Sequence, residues 1–116
     1  MFVAYELTKE MISALRSVMP AIEARDRNLA DQLRRAATSV LLNLAEGQKF
    51  ANGNRRKHYE IAQGSANEVM AALDAAEAWG WIATRGPERA PIDRVLAVLW
   101  KLTRAPAIQN PRARTS

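Results

Sequence analysis

The chain of 116 residues suits a single domain and leaves little room for a second. Alanine supplies 22 residues against five Gly and five Pro, and there is no Cys, which favours helix over sheet and excludes disulfide scaffolds and thiolate metal sites. The net charge of +5 is blocked: residues 1–48 balance, residues 49–58 hold four bases and no acid, residues 59–84 hold four acids and no base, and residues 85–116 hold seven bases against two acids.

Apolar spacing predicts four helices and no strand. The first runs from about Val3 to Met19, with Leu7, Met11, Ala14, Leu15, Val18 and Met19 on one side and Pro20 as its break. The charged stretch 23–28 reads as a connection, and Asn28 as the cap of a second helix from about Leu29 to Glu46. Leu33, Ala37, Val40 and Leu44 make the apolar line of that helix. Leu42 stands on its polar side, which points to a second contact surface. Asn52-Gly53-Asn54 signals a turn, with Asn54 placed to cap a third helix that reaches Trp79. Its core stripe is Ile61, Ala62, Ala66, Val69, Met70, Leu73 and Ala76. Gly64, Ala71, Ala75 and Ala78 form a second line, which either seats a neighbouring helix or subunit or reflects the abundance of alanine. Pro91 opens a fourth helix to about Arg104, stopped by Pro106 and Pro111. The expected architecture is all-α: an antiparallel up-down four-helix bundle over residues 1–105 and a flexible basic tail over residues 106–116. The first turn carries Glu6, Lys9 and Glu10 in place of an apolar leader, and no span nears the ~20 apolar residues of a membrane helix. A soluble, cytoplasmic protein without a membrane partner is expected.

Enzymatic chemistry lacks its parts. His58 is the one histidine of the chain, and Arg55, three residues before it, has the wrong charge for a Glu-x-x-His iron motif. Ser39 and Ser65 have no second histidine or paired lysine to activate them, and the glycines do not space a phosphate loop. No catalytic residue, metal or cofactor is expected, and His58 reads as a surface residue of a basic turn. Two polar constellations remain. Arg35, Ser39, Asn43 and Glu46 share a strip of the second helix, and Ser65 and Glu68 lie at or near the core stripe of the third. A structural polar seam is the favoured reading, because each unpaired buried polar group costs about 1–3 kcal/mol. Arg55, Arg56 and Lys57 follow Asn54, with Lys49 upstream. Cations there oppose the helix dipole, so the turn reads equally as a phosphate site or as a solvated charge run. The excess of Arg over Lys, 13 to 4, suits forked contacts to phosphate as well as a general preference for Arg. Trp79, Trp81 and Trp100 are expected to close the bundle ends.

Gln32-Leu33-Arg34-Arg35-Ala36-Ala37-Thr38-Ser39-Val40, Asn43-Leu44-Ala45-Glu46-Gly47 and Ala62-x-Gly64-Ser65-x-x-Glu68 together resemble the four-helix bundle family of ribosomal RNA intervening-sequence proteins. The diagnostic motifs fall in residues 32–68, and the layout extends over residues 1–105. Leu41 and Leu42 depart from the Pro followed by Ser or Ala that many relatives carry, and they extend an apolar surface. The resemblance implies a ring-shaped homopentamer and kinship to the nucleic-acid-binding accessory protein of diversity-generating retroelements. It gives Leu42, Gly64, Ala71 and Ala75 a role at subunit contacts, since a ring needs two different faces per chain. The leading expectation is a non-enzymatic pentamer that binds RNA or DNA through Lys49, Arg55, Arg56 and Lys57 by phosphate contacts. The alternative is a protein–protein adaptor, such as an accessory subunit of a reverse transcriptase.

Overall fold

A computed structural model of the chain describes residues 2–51 and 53–108, without the side chains of residues 105–108. Five helices and no strand make up the described residues: α1 Val3–Leu15, α2 Met19–Arg25, α3 Arg27–Gly47, α4 Gly53–Ala78 and α5 Arg89–Ile108. Asn52 of the expected turn and the cations Arg112 and Arg114 of the expected tail lie outside the described residues.

The first helix ends earlier than its apolar spacing suggests, and the expected connection is itself helical. Pro20 sits in the first turn of α2, where a missing N–H costs no intrahelical bond, and Ile22 is fully buried to anchor it. The break before α3 falls at Asp26, which is extended and whose carboxylate accepts the Leu29 N–H at 3.0 Å. Asp26 is therefore the cap in place of Asn28, and satisfies one of the orphan donors of the first turn. Asn54 lies inside the first turn of α4, since that helix already begins at Gly53. At the other end of the chain, α5 starts two residues before Pro91 and passes through Pro106. That proline is in the last turn, where losing one donor disturbs only a helix end.

Antiparallel neighbours set the register. Ser39 of α3 meets Ser65 of α4, and Asn43 meets His58, so the two helices run in opposite directions. Between α4 and α5, Gln63 meets Thr103 at one end and Asp74 meets Arg89 at the other. Helix α1 packs against α3 and α5, with Glu10 3.6 Å from Arg94, while α2 packs on α3. The core between these helices is built from Met11, Leu15, Leu33, Val40, Leu44, Val69, Leu73, Ile92, Val95 and Leu99, all buried. Among the described residues no helix is long and apolar enough to cross a membrane.

The inward face of α4 is rotated slightly from the expected stripe. Tyr59 and Ser65 are buried, whereas Ile61 is 43% exposed. The indoles do not close the ends as a set. Gly80, at φ 78°, terminates α4, and the Trp81 N–H returns to the Ala76 carbonyl at 2.9 Å while the Gly80 N–H bonds that of Glu77. This closure folds Trp81 back against the core and leaves Trp79 outside, 72% exposed and stacked on Trp81. Trp100 is also open, at 49%.

Candidate functional site

The α3–α4 interface holds a connected polar chain. Ser39 Oγ is 2.8 Å from Ser65 Oγ, and the Asn43 Nδ2 group donates to the Ser39 carbonyl at 3.0 Å and to Ser39 Oγ at 3.2 Å. A carbonyl only accepts, so the Asn43 amide is oriented with Oδ1 towards His58, whose Nδ1 lies 3.0 Å away and must carry the proton. His58 is thus part-buried in the seam and stacks on Phe50 at 5.9 Å, which corrects its reading as a surface residue. Its place four residues before Ala62 on the core stripe is the signal that locates it. Arg35 and Glu68 are exposed at the rim, without a polar partner among the described residues. Glu46 turns outward to Lys49 at 3.3 Å instead of joining the chain.

Close packing continues the seam to its end. A Cβ on Gly47 would stand 2.6 Å from Tyr59 Cε1, so the glycine lets α4 approach the last turn of α3. Arg55 Nε donates to the Gly47 carbonyl at 3.4 Å and ties the basic turn to the same place. Burial pushes the Tyr59 phenol above its ordinary value, although the Arg55 cation opposes the shift.

The cations gather at this end of the molecule. Thr103 Oγ1 donates to Gln63 Oε1 at 3.0 Å, so the later half of α5 lies beside the first half of α4. Lys101 and Arg104 therefore lie on the half of α5 that runs towards the end where Lys49, Arg55, Arg56 and Lys57 stand, with Glu46 and Glu60 the acids of the same α3–α4 turns. Arg56 pairs with Glu60 at 3.3 Å and Lys49 with Glu46, both in exposed geometry that holds little energy and yields readily to a phosphate. Lys57 and Lys101 have no ionic partner among the described residues. Spacing within one helix does not contain this orientation of α5; the antiparallel packing does.

The opposite end is laced by Arg89, which the sequence did not single out. Its guanidinium is buried, with Nε 2.8 Å from Glu77 Oε2 and Nη2 2.7 Å from Asp74 Oδ1. The Arg85 N–H also donates to Glu77, at 3.0 Å. Burial alone would raise the Glu77 carboxyl, but the Arg85 N–H and the Arg89 guanidinium outweigh it and hold the group below its ordinary value.

The small-residue line and Leu42 face outward. Leu42 is 62% exposed beside an open groove of about 390 Å³ that Arg34, Arg35, Thr38, Ser39 and Asn43 also line. Gly64 and Ala71 are exposed and Ala75 is half-buried; Ala71 and Ala75 line a second groove of about 260 Å³ with Leu29, Gln32, Glu68 and Ala72. No group of three or more potential metal-ligating side chains occurs among the described residues.

A family model described as 23S rRNA-intervening sequence protein matches residues 3–88. The chain belongs to this family. No curated protein and no solved structure matches it. The 23S rRNA-intervening sequence protein match takes in α1 to α4 and the loop that follows, and so contains the whole polar seam and the basic turn. Trp100, Lys101 and Arg104 lie beyond it.

Proposed function

We propose that this protein is a non-enzymatic, homopentameric four-helix bundle that binds nucleic acid through the basic end by contacts to backbone phosphates. The observation that carries this reading is the acid-free run that holds Lys49, Arg55, Arg56 and Lys57 around the start of α4, towards which antiparallel packing directs Lys101 and Arg104 of α5. Cations grouped in this way meet a polyanion and carry no base information. The family description, which names a ribosomal RNA intervening sequence, favours RNA among the polyanions. A non-enzymatic reading is supported by the seam itself: Ser39 and Ser65 bond each other, and among the described residues no hydrogen bond joins a serine to the His58 imidazole. Leu42 on one side and Gly64, Ala71 and Ala75 on another supply the two unlike faces from which a closed ring is built.

The test is the salt dependence of binding. For the parent protein, log affinity falls with log salt by roughly 0.7 per neutralised phosphate on single strands and 0.9 on duplex. Changing Arg55, Arg56 and Lys57 together to Glu flattens that slope and weakens unrelated sequences about equally. The fold survives, because acids in the first turn of α4 suit the helix dipole. Removal of residues 109–116 is the control for the remaining cations Arg112 and Arg114. A parent protein without salt-dependent affinity for RNA or DNA sinks this reading and leaves the adaptor role, such as an accessory subunit of a reverse transcriptase, in its place.

A further inference from the structure

Helix α5 carries an exposed flat aromatic surface that phosphate binding does not need. Trp100 is 49% exposed, and the Arg104 guanidinium lies over its ring at 4.5 Å from the centroid. The solvent-facing stripe of α5 reads Asp93, Arg94, Ala97, Trp100, Lys101, Arg104, without an acid after Asp93. Charge selects the occupant of this surface. The other open indole, Trp79, stands at the far end of α4 close to Asp74 and Glu77, the acids that Arg89 pairs with, and no cation lies over its ring among the described residues. Trp100 stands beside Arg104 and next to Lys101, on the part of α5 that runs towards the basic end.

Resting on the reading of that end as an RNA-binding surface, we propose that Trp100 is a stacking platform for an unpaired base of single-stranded RNA, with Lys101 and Arg104 on the flanking phosphates. A base inside a duplex already has both faces covered by its neighbours, so it can use the indole only after unstacking. An unpaired base has a face free, and stacking on an aromatic ring is open to any base. Arg104, already over one part of the indole, keeps a guanidinium within reach of the backbone on either side of the stacked nucleotide. The cations bind both forms of RNA; the indole makes the single strand the preferred one.

The experiment measures binding of a labelled 15-mer single-stranded RNA and of a 15-base-pair RNA duplex to the parent, Trp100→Ala, Trp100→Phe and the Arg55/Arg56/Lys57→Glu variant, all as full chains. Trp100→Ala is expected to weaken the single strand by about five- to hundredfold and leave the duplex within about twofold. Trp100→Phe restores part of the loss. In a Trp79→Phe, Trp81→Phe background, Trp100 is the only tryptophan, and the single strand but not the duplex quenches its selectively excited emission. The proposal is overturned if Trp100→Ala binds the single strand like the parent, or if both RNAs fall together. It is also overturned if the substitution changes the oligomeric mass, which would show that a second copy covers the indole. The charge-reversal variant loses both RNAs, and that loss stands or falls with the phosphate reading, independently of Trp100.

Discussion

Ser39 Oγ and Ser65 Oγ are 2.8 Å apart across the interface of α3 and α4, and Asn43 donates to the first of them. Two hydroxyls from residues far apart in the chain satisfy each other where an apolar contact would also have fitted. The pair therefore selects a register as much as it adds stability. Ser39→Ala or Ser65→Ala alone leaves a hydroxyl short of a partner and is expected to cost on the order of 1 kcal/mol. The double variant costs less than the two single changes together, since neither hydroxyl is then stranded. Urea unfolding of the four proteins measures this coupling, and strictly additive losses would contradict it.

Gly47 is a second point at which the interface admits little change. A methyl group there stands 2.6 Å from the Tyr59 ring, which is itself buried and 6.0 Å from the ring of Phe2. Gly47→Ala is expected to destabilise by about 1–3 kcal/mol through overpacking, against a smaller gain in helix propensity at this last residue of α3. In a Tyr59→Leu background the same change costs less. Thermal unfolding decides the matter: a Gly47→Ala variant as stable as the parent means that Tyr59 moves aside freely.

The Arg89–Glu77 contact predicts an acid-sensitive end. Glu77 is held below its ordinary value in the folded chain, so the unfolded chain takes up its proton first as the pH falls. Its stabilising contribution is whole at neutral pH, starts to fade at the unfolded carboxyl value and is gone once the pH has dropped through the depressed one. Glu77→Gln should lower the unfolding temperature at pH 7 and reduce its slope across the acidic range. Equal slopes for parent and variant below pH 5 would remove Glu77 as the source.

Much of the helical framework was legible because apolar residues at 3.6-residue spacing leave few alternatives. Leu33, Ala37, Val40 and Leu44 fall on the inward line of α3. What misled the reading was punctuation. Pro20 terminates a helix or starts one with equal chemistry, and only the burial of Ile22 decides for a start. Asp26 and Asn28 are both good caps, and the extended backbone at Asp26 chooses between them. The hydrogen-bonded part of the seam was visible at Ser39, Asn43 and Ser65, while His58 was masked by the three cations before it in the chain. The placement of Lys101 and Arg104 towards the same end as Arg55 depends on which helices are neighbours, a tertiary fact that spacing within one helix does not contain. The open positions of Trp79 and Trp100 are of the same kind, because whether an indole meets the core or solvent depends on which helices pack beside it.

The unlike faces of the α3–α4 surface predict how copies of the chain associate. In a ring each subunit offers one face forward and another back, so damage to either face breaks every contact, yet each damaged chain retains one intact face. Leu42→Arg places charge at a position that is 62% exposed and leaves the core untouched, with similar helix propensity. Ala71→Glu does the same on the small-residue line, which is also exposed. The parent is expected to sediment at five times 12.9 kDa at micromolar concentration, and each variant at 12.9 kDa with its helical circular dichroism retained. Mixed together, the variants can join the intact small-residue face of the Leu42→Arg chain to the intact Leu42 face of the Ala71→Glu chain. That contact does not propagate, so the mixture should sediment at twice 12.9 kDa. A parent that sediments as a monomer refutes the ring. Variants that keep the parent's mass place the contact on other faces, and a mixture that stays monomeric shows that these two faces do not meet.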